Sequence, residues 1–271
     1  MTANRDDFRA DLDRMLKRLL DVLGASLLLV ALFPLIAVIA IAIKLDSRGP
    51  VFYRCRRIGL GGHELGMLKF RKMYGDAAGL PLTVREDPRL TPSGRVLAKT
   101  KLDELPQLWN VLKGEMSLVG PRPEDPLFVE VCASDFALIL SVRPGITGLS
   151  QLAFAKESEI LDPLRRIDDY YERFLPQKIA IDRLYASRRN MSGDLNILVW
   201  TVTAVLLRKD VAVNRKTGEL TLRKRPAIRE LAAARPTADD EPHHRRPATA
   251  LRDLLRMLGL PRGAPSPMVF D

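Results

Sequence analysis

"ALFPLIAVIAIAIKLDSRGPVFYRCRRIG", residues 31–59, sets a proline at position 34 inside the one long apolar run of the chain and follows it with a burst of arginines. The uncharged run extends from Val22 to Ile43, past the roughly 18 apolar residues that mark a membrane helix. A buried core helix is the competing reading, and the length of the run weighs against it. Both flanks are basic, with Arg14, Lys17 and Arg18 before the run and Lys44, Arg48, Arg54, Arg56 and Arg57 after it. A straight span carries its positive residues mainly on one side, so two basic flanks do not fit it. Pro34 removes a backbone hydrogen bond near the midpoint and clashes with the preceding turn, at about 3 kcal/mol in a straight helix. A break there lets the chain dip into one leaflet and return to the same face. A kinked spanning helix is the alternative, because membrane helices tolerate proline where neighbours satisfy the freed backbone.

The 271 residues are 46% hydrophobic and 28% charged, the balance of a folded chain rather than a disordered one. A formal charge of +10 points to anionic partners: nucleic acid, lipid head groups or phosphorylated substrates. Cys55 and Cys132 form no disulfide framework and fit a reducing compartment. His63 stands alone in a turn, and His243 and His244 lie together in a Pro-, Asp- and Arg-rich segment. Neither a zinc site nor a Ser-His-Asp arrangement is supported, so any metal chemistry should be oxygen-ligated.

Residues 50–73 read as two short strands turning at Gly61-Gly62. "GLGG" is not a phosphate loop, because no Gly-Lys-Ser/Thr follows. In "KTKLDELPQLWNVLKGEMSLVGPRPEDP", Leu105, Leu108, Trp109 and Leu112 recur at helical spacing. Pro106 belongs in the first turn of that helix and Gly114 ends it, which sets Asp103 and Glu104 at or near its N-terminus. Further on, 170–184 reads as helix, and a helix opened by Ser192 carries an apolar stretch from Leu195 to Leu207, too short to cross a bilayer. Residues 234–248 read as linker, and Leu251, Leu254, Leu255 and Leu258 form the stripe of a short amphipathic helix.

Asp103 and Glu104 are the first candidate site. A helix start favours ionised carboxylates, as a carboxylate nucleophile or a magnesium ligand requires. The plain alternative is an N-cap with a favourable first-turn glutamate. Lys99, Lys101, Arg122 and Arg143 lie along the same stretch, Arg122 between prolines in "GPRP" and Arg143 before one in "RPG". An arginine on stiff backbone suits a bidentate grip on phosphate.

"KLDELPQLWNVLKGEMSLVGPRP" (101–123), "MLKFRKM" (67–73), "DPRLTPSGR" (87–95) and "RPGITGLSQ" (143–151) together resemble the bacterial sugar transferase family, the monotopic polyprenol-phosphate phosphoglycosyl transferases. The resemblance runs in order from Lys17 to Leu207. It implies an α-rich α/β fold: a small mixed catalytic core with a proline-broken re-entrant membrane helix and interfacial amphipathic helices. The corresponding units are a basic helix start (1–18), the re-entrant helix (19–44), the catalytic domain (45–226) and a linker with a short amphipathic helix (227–271).

The resemblance further implies transfer of a phospho-sugar from a UDP-sugar to undecaprenyl phosphate with release of UMP, beginning bacterial glycan synthesis. Asp103 would be the nucleophile, Glu104 the Mg²⁺ ligand, and Arg122 the contact to the nucleotide phosphate or base. Lys69 and Arg71 match the family's "KFR". Ala98 stands where the family usually has arginine, with Arg95, Lys99 and Lys101 as substitutes; position 55 is cysteine for glutamine, and 101 is lysine for serine. The implied place is the cytoplasmic face of the inner membrane, with membrane lipid as a partner, no nucleic acid, and a homodimer compatible with the sequence. The competing class is a non-catalytic, membrane-tethered basic module that binds anionic lipid or nucleic acid.

Overall fold

The computed structural model describes residues 3–75, 82–83, 87–157 and 170–223. The tail 227–271, including the Leu251–Leu258 stripe, lies outside them. The described chain is α-rich with three two-stranded sheets.

Helix α1 (Ala3–Asp46) carries Pro34 within it, so helix continues where the sequence reading places a break. The 36 residues Asp11–Asp46 are long and apolar enough to cross a membrane, and only 11% of their most apolar window is buried. A soluble core helix would bury most of that surface; here Leu27, Val30, Phe33, Val38 and Ile41 are all exposed. Its inner face is a narrow stripe of Asp21, Ala25, Ile39 and Ile43. Gly24 lets that face close on the domain, since a Cβ there would stand 2.7 Å from Leu118 Cδ1.

Both halves of α1 are tied to the same body. On the N-terminal side, Lys17 donates to Val119 O at 3.1 Å and pairs with Asp194, while Arg18 donates to Val111 O and Leu112 O at 2.7 and 2.9 Å. Buried Asp21 accepts from Ser117 Oγ and Leu118 N at 3.0 and 2.9 Å. On the C-terminal side, Asp46 accepts from Ser93 N at 2.9 Å, and Ile39 and Ile43 pack with Phe70 and Leu97. Lys17 and Arg18, which the sequence offers as flank charge, are therefore spent on internal partners.

Strands β1 (Phe52–Ile58) and β2 (Glu64–Phe70) form the expected antiparallel hairpin, in register Phe52↔Phe70 to Ile58↔Glu64. Gly61 and Gly62 take φ +67° and +79°, which glycine adopts without a Cβ penalty. Helix α2 (Pro92–Thr100) is capped by Thr91 Oγ1, which accepts from Gly94 N at 3.0 Å. Helix α3 (Gln107–Lys113) buries Leu108 and Val111 against Ala25, Met67 and Met116. Trp109 is 52% exposed, so the expected stripe is shifted: Val111 takes the inner position that spacing alone gives to the tryptophan.

Strands β3 (Ser117–Val119) and β4 (Gly145–Thr147) pair in parallel. Helices α4 (Pro126–Val131), α5 (Ala133–Phe136), α6 (Leu149–Ala153), α7 (Leu175–Arg188) and α8 (Met191–Leu206), with β5 (Val211–Val213) and β6 (Leu220–Leu222), surround the largest apolar cluster. A π turn, Tyr170–Phe174, leads into α7. The cap of α8 is Asn190, whose Oδ1 accepts from Gly193 N at 2.8 Å, rather than Ser192.

Candidate active site

Asp103 and Glu104 do not open α3. They occupy a separate 3-10 turn, Leu102–Glu104, that continues through Leu105 and Pro106 into α3. The turn begins at Lys101, whose φ of 60° and ψ of 13° make it one of two described non-glycine residues with left-handed backbone. Asp103 is 1% exposed, and an ionised carboxylate so deep needs a cation beside it. Lys72 supplies it, with Nζ 3.1 Å from Oδ2. Glu104 Oε1 accepts from Lys69 Nζ at 2.9 Å and from Arg122 Nη2 at 3.0 Å.

The electrostatics follow from this crowding. Burial alone would raise the Glu104 carboxyl, but Arg122 and Lys69, with Lys101 behind them, hold it well below the usual range. Glu104 in turn raises Arg122, so that guanidinium stays charged throughout. Desolvation lowers the Lys69 ammonium; Glu104 and Asp103 oppose it, while Arg122 and Lys72 add to it.

Arg122 is delivered by a loop with little freedom. Gly120 N donates to Thr147 O at 2.9 Å and Gly145 N to Pro121 O at 2.8 Å, so "GPRP" runs on from β3 against "RPGITG". The two backbones nearly touch: a Cβ on Gly145 would fall 2.0 Å from Gly120 N, and one on Gly148 would fall 2.2 Å from Gly120 O. Gln151 Nε2 donates to Gly120 O and Gly145 O. Past Pro123, Glu124 O accepts from Ile58 N at 3.0 Å, and Asp125 caps α4 and pairs with Arg57. Arg122 thus spans two features, gripping Glu104 on one side and lining a shallow crevice with Ile58, Pro121, Pro123, Ile139 and Pro144 on the other.

Behind the loop, Asp182 on α7 is 5% exposed, and its Oδ1 has no hydrogen-bond partner among the described residues. Burial pushes its carboxyl up to about 7; the Ser150 hydroxyl, Lys178 and the backbone N–H of Arg122 oppose that rise.

The other candidates fall elsewhere. Arg71 is 6% exposed and faces the end of α1, donating to Arg48 O, to Ser47 O at 2.8 Å and to Ser47 Oγ at 3.0 Å. Gly49 leaves room for it, since a Cβ there would lie 2.1 Å from Nη1. Arg143 donates to Gly114 O at 3.1 Å from an exposed position. Arg95 and Lys99 are exposed on α2. Lys72 was missed, although it sits in the quoted "MLKFRKM"; the signal was its spacing of three from Lys69.

Among the described residues no group of three or more His, Cys, Asp or Glu side chains could hold a metal ion. Magnesium needs less from a protein: one or two carboxylates, the rest being water and substrate phosphate. Asp103 Oδ1 and Glu104 Oε2 accept no hydrogen bond among the described residues, so the donor set fits such an ion.

A carboxylate pair, one buried and one half-buried, ringed by cations on a body bound to a long apolar helix suits a protein that handles phosphate groups beside lipid. The chain belongs to the bacterial sugar transferase family, whose model matches residues 12–208. It is 38% identical over 195 residues to the UDP-glucose:undecaprenyl-phosphate glucose-1-phosphate transferase of Caulobacter vibrioides, covering 70% of this chain and 69% of that one. It is 44% identical over 149 residues to the undecaprenyl-phosphate glucose phosphotransferase of Komagataeibacter xylinus, covering 52% and 28%. A third relative, the UDP-N-acetylgalactosamine-undecaprenyl-phosphate N-acetylgalactosaminephosphotransferase of Aeromonas hydrophila, is 37% identical over 162 residues, covering 58% and 38%. The chain thus spans well under two thirds of the Komagataeibacter and Aeromonas proteins.

Proposed function

We propose that this chain transfers a sugar-1-phosphate from a UDP-sugar to undecaprenyl phosphate, releasing UMP, as the first membrane step of a bacterial glycan. The observation that carries the proposal is the 3-10 turn on which Asp103 and Glu104 each use one carboxylate oxygen on lysine or arginine and keep the other unbonded among the described residues.

Asp103 is the nucleophile of this reading. Its Oδ1 attacks the phosphorus bearing the sugar; the bond from that phosphorus to the bridging oxygen breaks, and UMP departs with the electron pair. The aspartyl-phosphosugar so formed is attacked at the same phosphorus by an undecaprenyl phosphate oxygen, which expels the carboxylate. Two displacements replace one difficult transfer. Lys72 pairs with Asp103 Oδ2 and leaves Oδ1 for the attack, and Arg122, between Glu104 and the crevice, meets the phosphate of the nucleotide. Glu104 would hold Mg²⁺, which when bound neutralises charge building on the diphosphate.

The attachments at both ends of α1 support a re-entrant course, with the catalytic body on the cytoplasmic face and residue 3 on the same side. The non-catalytic basic module would account for the charge, but not for carboxylates at the centre of the cations. Purified full-length chain in detergent micelles with undecaprenyl phosphate and Mg²⁺ should release UMP from at least one UDP-sugar of a panel. UDP-glucose leads that panel because the Caulobacter relative, matched over most of both chains, is named for it. Release from no donor would favour the binding module.

A further inference from the structure

Four cations surround the carboxylate turn, and three are engaged: Lys69 and Arg122 on Glu104, and Lys72 on Asp103. Lys101 is different. It is exposed, and although its carbonyl accepts from Glu104 N at 3.2 Å, its ammonium makes no hydrogen bond or ion pair among the described residues. It also occupies a left-handed backbone position that favours glycine or asparagine, so a lysine there is held against conformational preference. Its ammonium nonetheless lies in the field of both carboxylates and of Lys72 and Arg122.

Charge sharpens the point. Before any metal is counted, Lys69, Lys72 and Arg122 against Asp103 and Glu104 leave a single positive charge, and Lys101 makes it two. A nucleotide-sugar diphosphate carries two negative charges. Arg95 and Lys99 are exposed on the preceding helix, whereas Lys101 is part of the turn itself, two residues before Asp103.

Resting on the transferase reading above, we propose that Lys101 is the donor-phosphate ligand of this site: its unpaired ammonium, carried on the left-handed residue that opens the turn of Asp103, takes the diphosphate of the nucleotide sugar. The acceptor lipid also presents a phosphate, so the test separates the two sources. Full-length protein in detergent micelles is compared with Lys101→Gly, which removes the cation and suits the backbone, and with Lys101→Arg, which keeps the charge.

UDP with Mg²⁺ serves as the binding probe, alongside the thermal midpoint, the KM for UDP-glucose and the KM for undecaprenyl phosphate. Lys101→Gly should keep or raise the thermal midpoint, weaken UDP about tenfold and raise the donor KM by a similar factor, with the acceptor KM unchanged. Lys101→Arg should restore most of the affinity. Unchanged UDP affinity in Lys101→Gly overturns the proposal, as does an effect confined to the acceptor KM or the absence of UDP binding by the unaltered chain. Loss of UDP binding in Lys101→Gly, in a chain that releases no UMP from any donor, would uphold Lys101 as a diphosphate ligand while sinking the transferase reading.

Discussion

Replacing Asp182 by asparagine tests how the loop that carries Arg122 is supported. The carboxyl is buried on α7, and burial pushes it up to about 7 from an ordinary 3.8. The folded value lies above the unfolded one, so between them the native state keeps a proton that the unfolded chain has released. Stability from this group is therefore present in acid and lost as pH rises from about 4 to about 7. That interval of about three pH units, at ~1.4 kcal/mol each, amounts to about 4 kcal/mol at most. For a chain of this size it corresponds to roughly 10 °C in the unfolding midpoint. The assay is thermal or denaturant unfolding of the detergent-solubilised protein at pH 5 and pH 8. The native chain should lose stability between them relative to Asp182→Asn, whose amide does not titrate; every other titrating group cancels in the comparison. Parallel pH profiles for the two proteins would refute the argument.

Three further outcomes follow from contacts in the structure. Gly145→Ala sets a methyl 2.0 Å from Gly120 N and should cost about 1–3 kcal/mol while sharply lowering UMP release, whereas Gly75→Ala, whose methyl meets nothing within 4 Å among the described residues, should change neither. Arg71→Met strands carbonyls at the end of α1 and should cost roughly 2–4 kcal/mol in unfolding experiments, with the donor KM unchanged. Lys69→Met should do the reverse, lowering turnover about 100-fold through loss of a cation on Glu104 with a smaller effect on the thermal midpoint.

Much of the local structure was legible in the sequence because its signals are local. Paired glycines mark the β1–β2 turn, Pro106 and Gly114 bound α3, and an uncharged run marks α1. What spacing could not show depends on groups far apart in the chain. Lys17 and Arg18 look like interfacial charge until Val119, Val111 and Leu112 are folded beneath them. Arg71 and Lys69 look equivalent in "KFR", yet Lys69 lies within β2 and reaches Glu104, while Arg71 comes just past the end of β2 and meets the end of α1. Trp109 has the right helical phase to be core but faces outward, because the α1–β2 layer meets Leu108 and Val111 instead. Asp182 carries no sequence signal at all; its role depends on the meeting of α6, α7 and the "GPRP" loop.

The central claim is that Asp103 becomes covalently bonded to the phospho-sugar. Intact-mass measurement of the full-length protein, incubated with Mg²⁺ and UDP-glucose or whichever panel donor supports UMP release, and without acceptor lipid, addresses it directly. The unaltered chain should gain the mass of one sugar phosphate, and undecaprenyl phosphate should then remove it. Asp103→Asn should gain nothing and release no UMP. An adduct of the same mass on Asp103→Asn would contradict the account.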